Sequence, residues 1–224
     1  MPADYYLNKI YPLQDKVLTI LSGLPVHFYL TGGTALSRIY LKHRFSDDLD
    51  FFLNADTTFK EQTKRVINAF AQKGLNFDFA SQTQNFVRIF IENVDTLLKI
   101  DFVNDVSFHL NGFIQTELFD RTDNPMNILT NKLCALSRLD PKDVLDILFL
   151  SYKYRFNWEE MIVYAHKKDI WVEPLEISRL LDTFPVNLFS SLKLQTELKY
   201  EKIQKDLKIM AKEILMARDN SLKK

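Results

Sequence analysis

An α+β fold is expected, with a mixed sheet flanked by helices over residues 1–122 and a helical region over residues 123–224. Three observations predict it. Five short segments in the first half have strand character, and two longer segments among them carry apolar residues at helical spacing. From Pro125 onward the character changes to consecutive helical stretches.

In chain order, residues 5–24 place Tyr6, Ile10, Leu13, Val17, Ile20 and Leu21 near a helical period and close on Gly23 and Pro25. The run VHFYL, residues 26–30, is expected as a short strand leading into Gly32 and Gly33. Residues 34–42 follow as a helix with Leu36 and Tyr40 on one face. Over residues 48–53, alternation puts Asp48 and Asp50 on one face of a strand and Leu49 and Phe51 on the other. A helix over residues 57–73 closes at Gly74. LNFDFAS, NFVRIFIE and LLKIDFV then read as strands, joined by QTQ and NVD, which are short enough for hairpin-like connections. The polar run DRTDN, residues 120–124, ahead of Pro125 marks a boundary. Beyond it the helices are divided at Asp140-Pro141, Asn157, Glu173-Pro174 and Pro185. No internal repeat or low-complexity segment is apparent.

Bulk composition excludes several classes of function. Basic and acidic residues number 29 each, so nucleic-acid binding would need a local basic patch and not a global field. The single cysteine, Cys134, rules out an intrachain disulfide, and its apolar neighbours suggest a buried core thiol. The N-terminus lacks the basic start and apolar run of a signal peptide, and no stretch approaches the roughly 20 apolar residues that span a bilayer. A soluble cytoplasmic protein with no membrane partner is the expectation. The lysine-rich tail, residues 193–224, reads either as a solvated helix face or as a phosphate-tracking surface, with Glu197, Glu201, Asp206 and Glu213 interleaved.

The chemistry concentrates in YLTGGTALSRIYLKHRFSDDLDFFL, residues 29–53. Two of only five glycines stand side by side between a strand and a helix start. Such a turn either satisfies sterics or lets backbone N–H groups approach a phosphate. Asp48 and Asp50 share a strand face beside Leu49, Phe51 and Phe52, so a cation is expected between them unless that strand is a solvated edge. Asp101 interrupts the apolar strand LLKIDFV, where aspartate is out of character. If the two strands are neighbours, three carboxylates converge on one site, a set able to hold two Mg²⁺ ions for in-line phosphoryl or nucleotidyl displacement. The alternative for Asp101 is a salt bridge to Lys99 or Arg88.

GGT, a helix, HRFSDDLDFF and later KIDFV together resemble the nucleotidyltransferase superfamily, and residues 28–52 look like the AbiEii/AbiGii toxin family of bacterial nucleotidyltransferases. NKLCALSRLDPKDVLDILFL, residues 131–150, is similar to that family's helical segment bearing a lysine, an arginine and two acidic residues. The resemblance implies a nucleotidyltransferase-like fold in which Gly32, Gly33 and Thr34 cradle a triphosphate. Ser46 would lie in the approach to the acidic pair. Asp48, Asp50 and Asp101 would bind Mg²⁺ (one ion or two), and Lys132 would reach the nucleotide phosphates. Asp143 and Asp146 match the acidic pair after Lys132, serving the site or pairing locally with Arg138 or Lys142. Arg38, Lys42, His43 and Arg44 would either contact substrate phosphates or cap a helix C-terminus; His43 reads as a capping or surface residue and not as a metal ligand. The gap from glycines to aspartates is longer than the usual pattern, and Asp47 adds a carboxylate expected to point away.

The activity implied is transfer of a nucleoside monophosphate from an NTP to a hydroxyl acceptor. The acceptor would be RNA, such as tRNA, and the protein the toxin of a toxin–antitoxin or phage-defence system with a cognate antitoxin. The alternatives are a nucleotide-binding regulator without turnover, or transfer to a small molecule or a protein.

Overall fold

The computed structural model describes residues 2–223. The chain forms two compact units, one comprising the residues up to Ile39 together with Phe45–Asn124, the other Tyr40–Arg44 together with the chain from Pro125.

The first unit opens with α1 (Pro2–Tyr5), which runs through a π-helical turn, Tyr6–Ile10, into α2 (Tyr11–Ser22). Then come β1 (Tyr29–Thr31), α3 (Gly32–Ala35) with a further π-helical turn over Leu36–Tyr40, β2 (Leu49–Asn54) and α4 (Phe59–Gln72). β3 (Asn76–Gln82), β4 (Phe86–Asn93) and β5 (Thr96–Asp105) complete it. The sheet order is β1-β2-β5-β4-β3. β2 and β5 run parallel, while the other neighbours run antiparallel, so the sheet is mixed as expected.

Two boundaries differ from the sequence expectation for identifiable reasons. The strand expected at residue 26 starts at Tyr29, because the His27 N–H is bonded to Gln62 Oε1 at 2.6 Å and is lost to the ladder. The helix expected over residues 34–42 starts at Gly32 and stops at Tyr40; Lys42, at φ 53°, is left-handed and cannot continue it.

One face of the sheet is the core of this unit. Leu30, Phe51, Phe102 and Val87 form one row across the strands and Leu49, Ile100 and Ile89 another, all buried. Phe28 bridges this layer to α4, with its ring 5.1 Å from Phe102 and 6.0 Å from Phe59. Each such buried side chain contributes about 1.5–3 kcal/mol. Strand alternation therefore delivers every residue between these core positions to the opposite face.

The second unit holds α5 (Pro125–Ala135), α6 (Pro141–Lys153), α7 (Trp158–His166), α8 (Pro174–Asp182) and α9 (Tyr200–Leu215). Asp140 caps α6 by accepting from the Lys142 N–H, Asn157 caps α7 in the same way from Glu160, and proline opens α5, α6 and α8. Among the described residues of the amphipathic tail, only Tyr200–Leu215 is helical. Cys134 is half-buried, with Sγ 3.5 Å from the Ala165 carbonyl, and so is not the fully buried thiol expected. Among the described residues no helix is long and apolar enough to cross a membrane.

Candidate active site

The sheet face opposite the core carries a polar row. Asp50 is the register partner of Thr31 on β1 and of Asp101 on β5, and Asp101 is the partner of Arg88 on β4. Register partners project to the same side. Asp48, one residue ahead of β2, and Lys99, two before Asp101 on β5, fall on this face too. Parallel pairing of β2 with β5 thus brings Asp48, Asp50 and Asp101 together from positions more than fifty residues apart.

Three carboxylates on one face need cations. Arg88 forms a fork on Asp101, Nε to Oδ1 and Nη2 to Oδ2, both at 2.7 Å. Lys99 Nζ lies 2.7 Å from Asp48 Oδ2 and 3.9 Å from Asp101 Oδ2. Burial lowers the Lys99 pKa, but the bond to Asp48 and the charges of Asp48, Asp50 and Asp101 outweigh it and raise the pKa overall. Both salt-bridge partners foreseen as the alternative for Asp101 are therefore present.

Gly32 explains the first of the paired glycines. It has φ +69°, and a Cβ there would stand 3.1 Å from Asp50 Cγ and 3.3 Å from Asp50 Cβ, closer still to Oδ2. Only glycine combines the left-handed backbone with so close an approach to the carboxylate.

The loop that delivers Asp48 is held from the N-terminal helix. Gln14, fully buried, donates through Nε2 to the Ser46 carbonyl at 3.1 Å and the Asp48 carbonyl at 3.4 Å. Its Oε1 accepts from Arg38 Nη1, which also pairs with Asp15 at 2.7 Å. The Thr34 hydroxyl, read as part of a phosphate cradle, donates to the Asp48 carbonyl. Asp47 accepts from the Tyr6 hydroxyl. Thr31 donates to the buried Asp123 at 2.6 Å, and His109 Nε2 meets the other Asp123 oxygen at 3.1 Å. Gln14 was missed from the sequence, yet its signal was there: a polar residue at the helical period of Ile10, Leu13, Val17 and Leu21.

The remaining residues singled out from the sequence gather in the second unit. Asp146 is fully buried and accepts from Arg44 Nε at 2.8 Å and Nη2 at 2.7 Å. Lys132 Nζ lies 2.7 Å from Asp146 Oδ2 and 2.6 Å from Asp143 Oδ1, and Arg138 reaches Asp143 at 3.4 Å. Arg44 is therefore buried against a carboxylate and not exposed for substrate. His43 is neither a cap nor a surface residue: it is buried, with Nε2 2.7 Å from Asp146 Oδ1. Gln195 ties this segment down, its N–H donating to the His43 carbonyl and its Nε2 to the Arg44 carbonyl. Burial would raise the Asp146 carboxyl, but Arg44, Lys132 and the bond from His43 hold it well below the usual carboxylate range.

A pH dependence of stability follows. Burial lowers the His43 pKa below 6.5 and outweighs the pull of Asp146. With Nε2–H donating to Asp146, a second proton would fall on Nδ1, which is buried with no hydrogen-bond partner. The unfolded chain takes up that proton near pH 6.5 and the folded chain does not, so stability is lost as pH falls below about 6.5. Thermal melts should show the midpoint dropping from about pH 7 to pH 5, and His43→Gln should flatten that slope.

The donor set fits a hard cation. Asp48 and Asp50 offer carboxylate oxygens on one face, the one or two carboxylates that Mg²⁺ takes alongside substrate phosphates. The Lys99 ammonium also shows that positive charge is accommodated against Asp48 and Asp101. Among the described residues no group of three or more histidine, cysteine, aspartate or glutamate side chains is placed so that it could hold a metal ion.

The sequence model of a family described as nucleotidyl transferase AbiEii toxin, type IV TA system, matches residues 16–222. Two solved structures from Helicobacter pylori share the fold. One, assigned as a nucleotidyltransferase, is 22% identical with a TM-score of 0.67, covering 94% of this chain and 95% of that one. The other, JHP933, is 23% identical with a TM-score of 0.62, covering 94% and 92%. None of the curated proteins matches.

Proposed function

The chain belongs to the AbiEii nucleotidyl transferase toxin family and is a nucleotidyltransferase; from that premise we propose that it moves a nucleoside monophosphate from an NTP to a hydroxyl of RNA, with Mg²⁺, as the toxin of a toxin–antitoxin pair. The observation that carries this reading is the register of Asp50 with Asp101 on adjacent parallel strands, with Asp48 on the same face and Gly32 closing over Asp50.

In the reaction, the acceptor oxygen forms a bond to the α-phosphorus. The bond from that phosphorus to the bridging oxygen of the β-phosphate breaks, pyrophosphate departs with the electron pair, and the acceptor's proton passes to solvent or a base. Mg²⁺ bound by Asp48 and Asp50 would supply charge neutralisation for the attacking and departing oxygens. Gly32 lets the turn pass close against the Asp50 carboxylate. Gln14, Thr34 and Arg38 act by position: they fix the backbone around Asp48, so the carboxylate need not be reorganised when substrate arrives. Arg88 orients Asp101 with both its nitrogens. Lys132, paired with Asp143 and Asp146 in the second unit, is given no part in the transfer step. The cognate antitoxin, a role in phage defence and a cytoplasmic site of action belong to this reading as well.

Label transfer tests it. Protein incubated with each α-³²P-labelled NTP, Mg²⁺ and total bacterial RNA should label RNA with one of the four. Asp48→Ala should label none. Label on protein or on a small molecule would replace RNA as the acceptor, and no label anywhere would remove the transfer reading.

A further inference from the structure

Lys99 is the residue that the proposed chemistry leaves unexplained. A lysine two positions before Asp101 on the same strand necessarily projects onto the carboxylate face. Its ammonium stands 2.7 Å from Asp48 Oδ2 and 3.9 Å from Asp101 Oδ2, where it lies against oxygens that a divalent ion would need. Arg88 already neutralises Asp101 through two bonds. A divalent ion arriving alone would meet the Lys99 ammonium at close range.

We infer that Lys99 is a tethered competitor of the metal: it holds Asp48 and Asp101, weakens divalent-cation binding beside them, and yields its place when nucleotide phosphates draw it away. This rests on the reading of Asp48 and Asp50 as metal ligands. The two basic residues differ in how readily they move. The Arg88 fork engages both oxygens of one carboxylate, whereas Lys99 makes one short contact at the end of a flexible stem. Lys99 is thus the cation that can swing out, and the polyphosphate of an incoming NTP is an anion able to take it. Metal and nucleotide then bind together more readily than metal alone, which limits occupancy of the site by metal without substrate.

Mn²⁺ binding, followed by loss of the free-ion signal in electron paramagnetic resonance, tests this without turnover. In the absence of nucleotide, Lys99→Met should bind Mn²⁺ at least about tenfold more tightly than the wild type, because it removes a repulsive charge. Lys99→Gln, neutral but still able to hydrogen-bond, guards against a folding defect in the methionine variant and should move the same way. Lys99→Arg keeps the charge and should stay near wild type. Adding an NTP analogue with a methylene bridge between the α and β phosphorus atoms should tighten Mn²⁺ binding more in the wild type than in Lys99→Met. Folded neutral variants with unchanged or weaker Mn²⁺ affinity would overturn the inference and leave Lys99 an ordinary ion-pair partner, while the wild type still binds Mn²⁺ with nucleotide. If no variant binds Mn²⁺ even with nucleotide, or if Asp48→Asn binds it as the wild type does, the metal-site reading itself falls, and the inference with it.

Discussion

Asp50→Asn is expected to lower nucleotidyl transfer by about a thousandfold or more, a loss of ~4 kcal/mol of transition-state stabilisation. The substitution is nearly isosteric, so the side chain still fits beneath Gly32, where the backbone approaches it most closely. What it removes is charge on the central residue of the polar row, between Thr31 and Asp101. The fold should tolerate the change, since one fewer carboxylate then competes for Lys99 and Arg88, and the melting temperature should hold or rise slightly. Asp47→Asn is the control. That carboxylate accepts from the Tyr6 hydroxyl, which an asparagine oxygen also does, so activity should stay within a few-fold of wild type. Steady-state label transfer on both variants separates charge at the site from charge nearby. Asp50→Asn active at the wild-type rate would remove Asp50 from the chemistry. Asp101→Asn is a less discriminating test, because it also takes an oxygen from the Arg88 fork.

The second large effect belongs to Gly32→Ala. An added methyl group must displace the Asp50 carboxylate, and alanine at φ +69° costs about 1–2 kcal/mol in backbone strain. Gly74 offers a matched comparison: its φ is also +69°, but a Cβ there meets nothing within 4 Å. Both alanine variants should lose stability to that backbone strain in thermal or urea melts, and Gly32→Ala should lose more because of its contact with Asp50. Only Gly32→Ala should also lose about a hundredfold or more in transfer, the loss expected when a reacting group is displaced by about an ångström. Equal activity in the two variants would mean that the Gly32–Asp50 approach has no part in function.

Much of the architecture was legible in the sequence because it rests on short-range rules. Alternation at residues 48–53 and 97–103 places Asp48, Asp50 and Asp101 opposite buried Leu49, Phe51, Ile100 and Phe102. Proline and capping residues mark the starts of α6, α7 and α8. The paired glycines and close aspartates were informative for the same reason, since the spacing along the chain is itself the signal. Where a local rule was overridden, a tertiary bond did it, as when Gln62 captured the His27 N–H and shortened β1.

Which strands are neighbours, and which charge meets which, were decided only in three dimensions. β5 could have paired with β2 or stayed in a hairpin stack; parallel pairing with β2 is what turns separated aspartates into one acidic face. Arg44 and His43 read locally as cations at a helix end, yet they find Asp146 from more than a hundred residues away and become its buried partners. Lys99 likewise reads as an ordinary strand lysine until the sheet sets it against Asp48. Sequence alone determined the elements and the face on which each side chain lies, because backbone geometry repeats over two to four residues. The tertiary structure decided the partners of the ionisable groups, because a charge taken out of water must find its counter-charge wherever the fold brings one within a few ångströms.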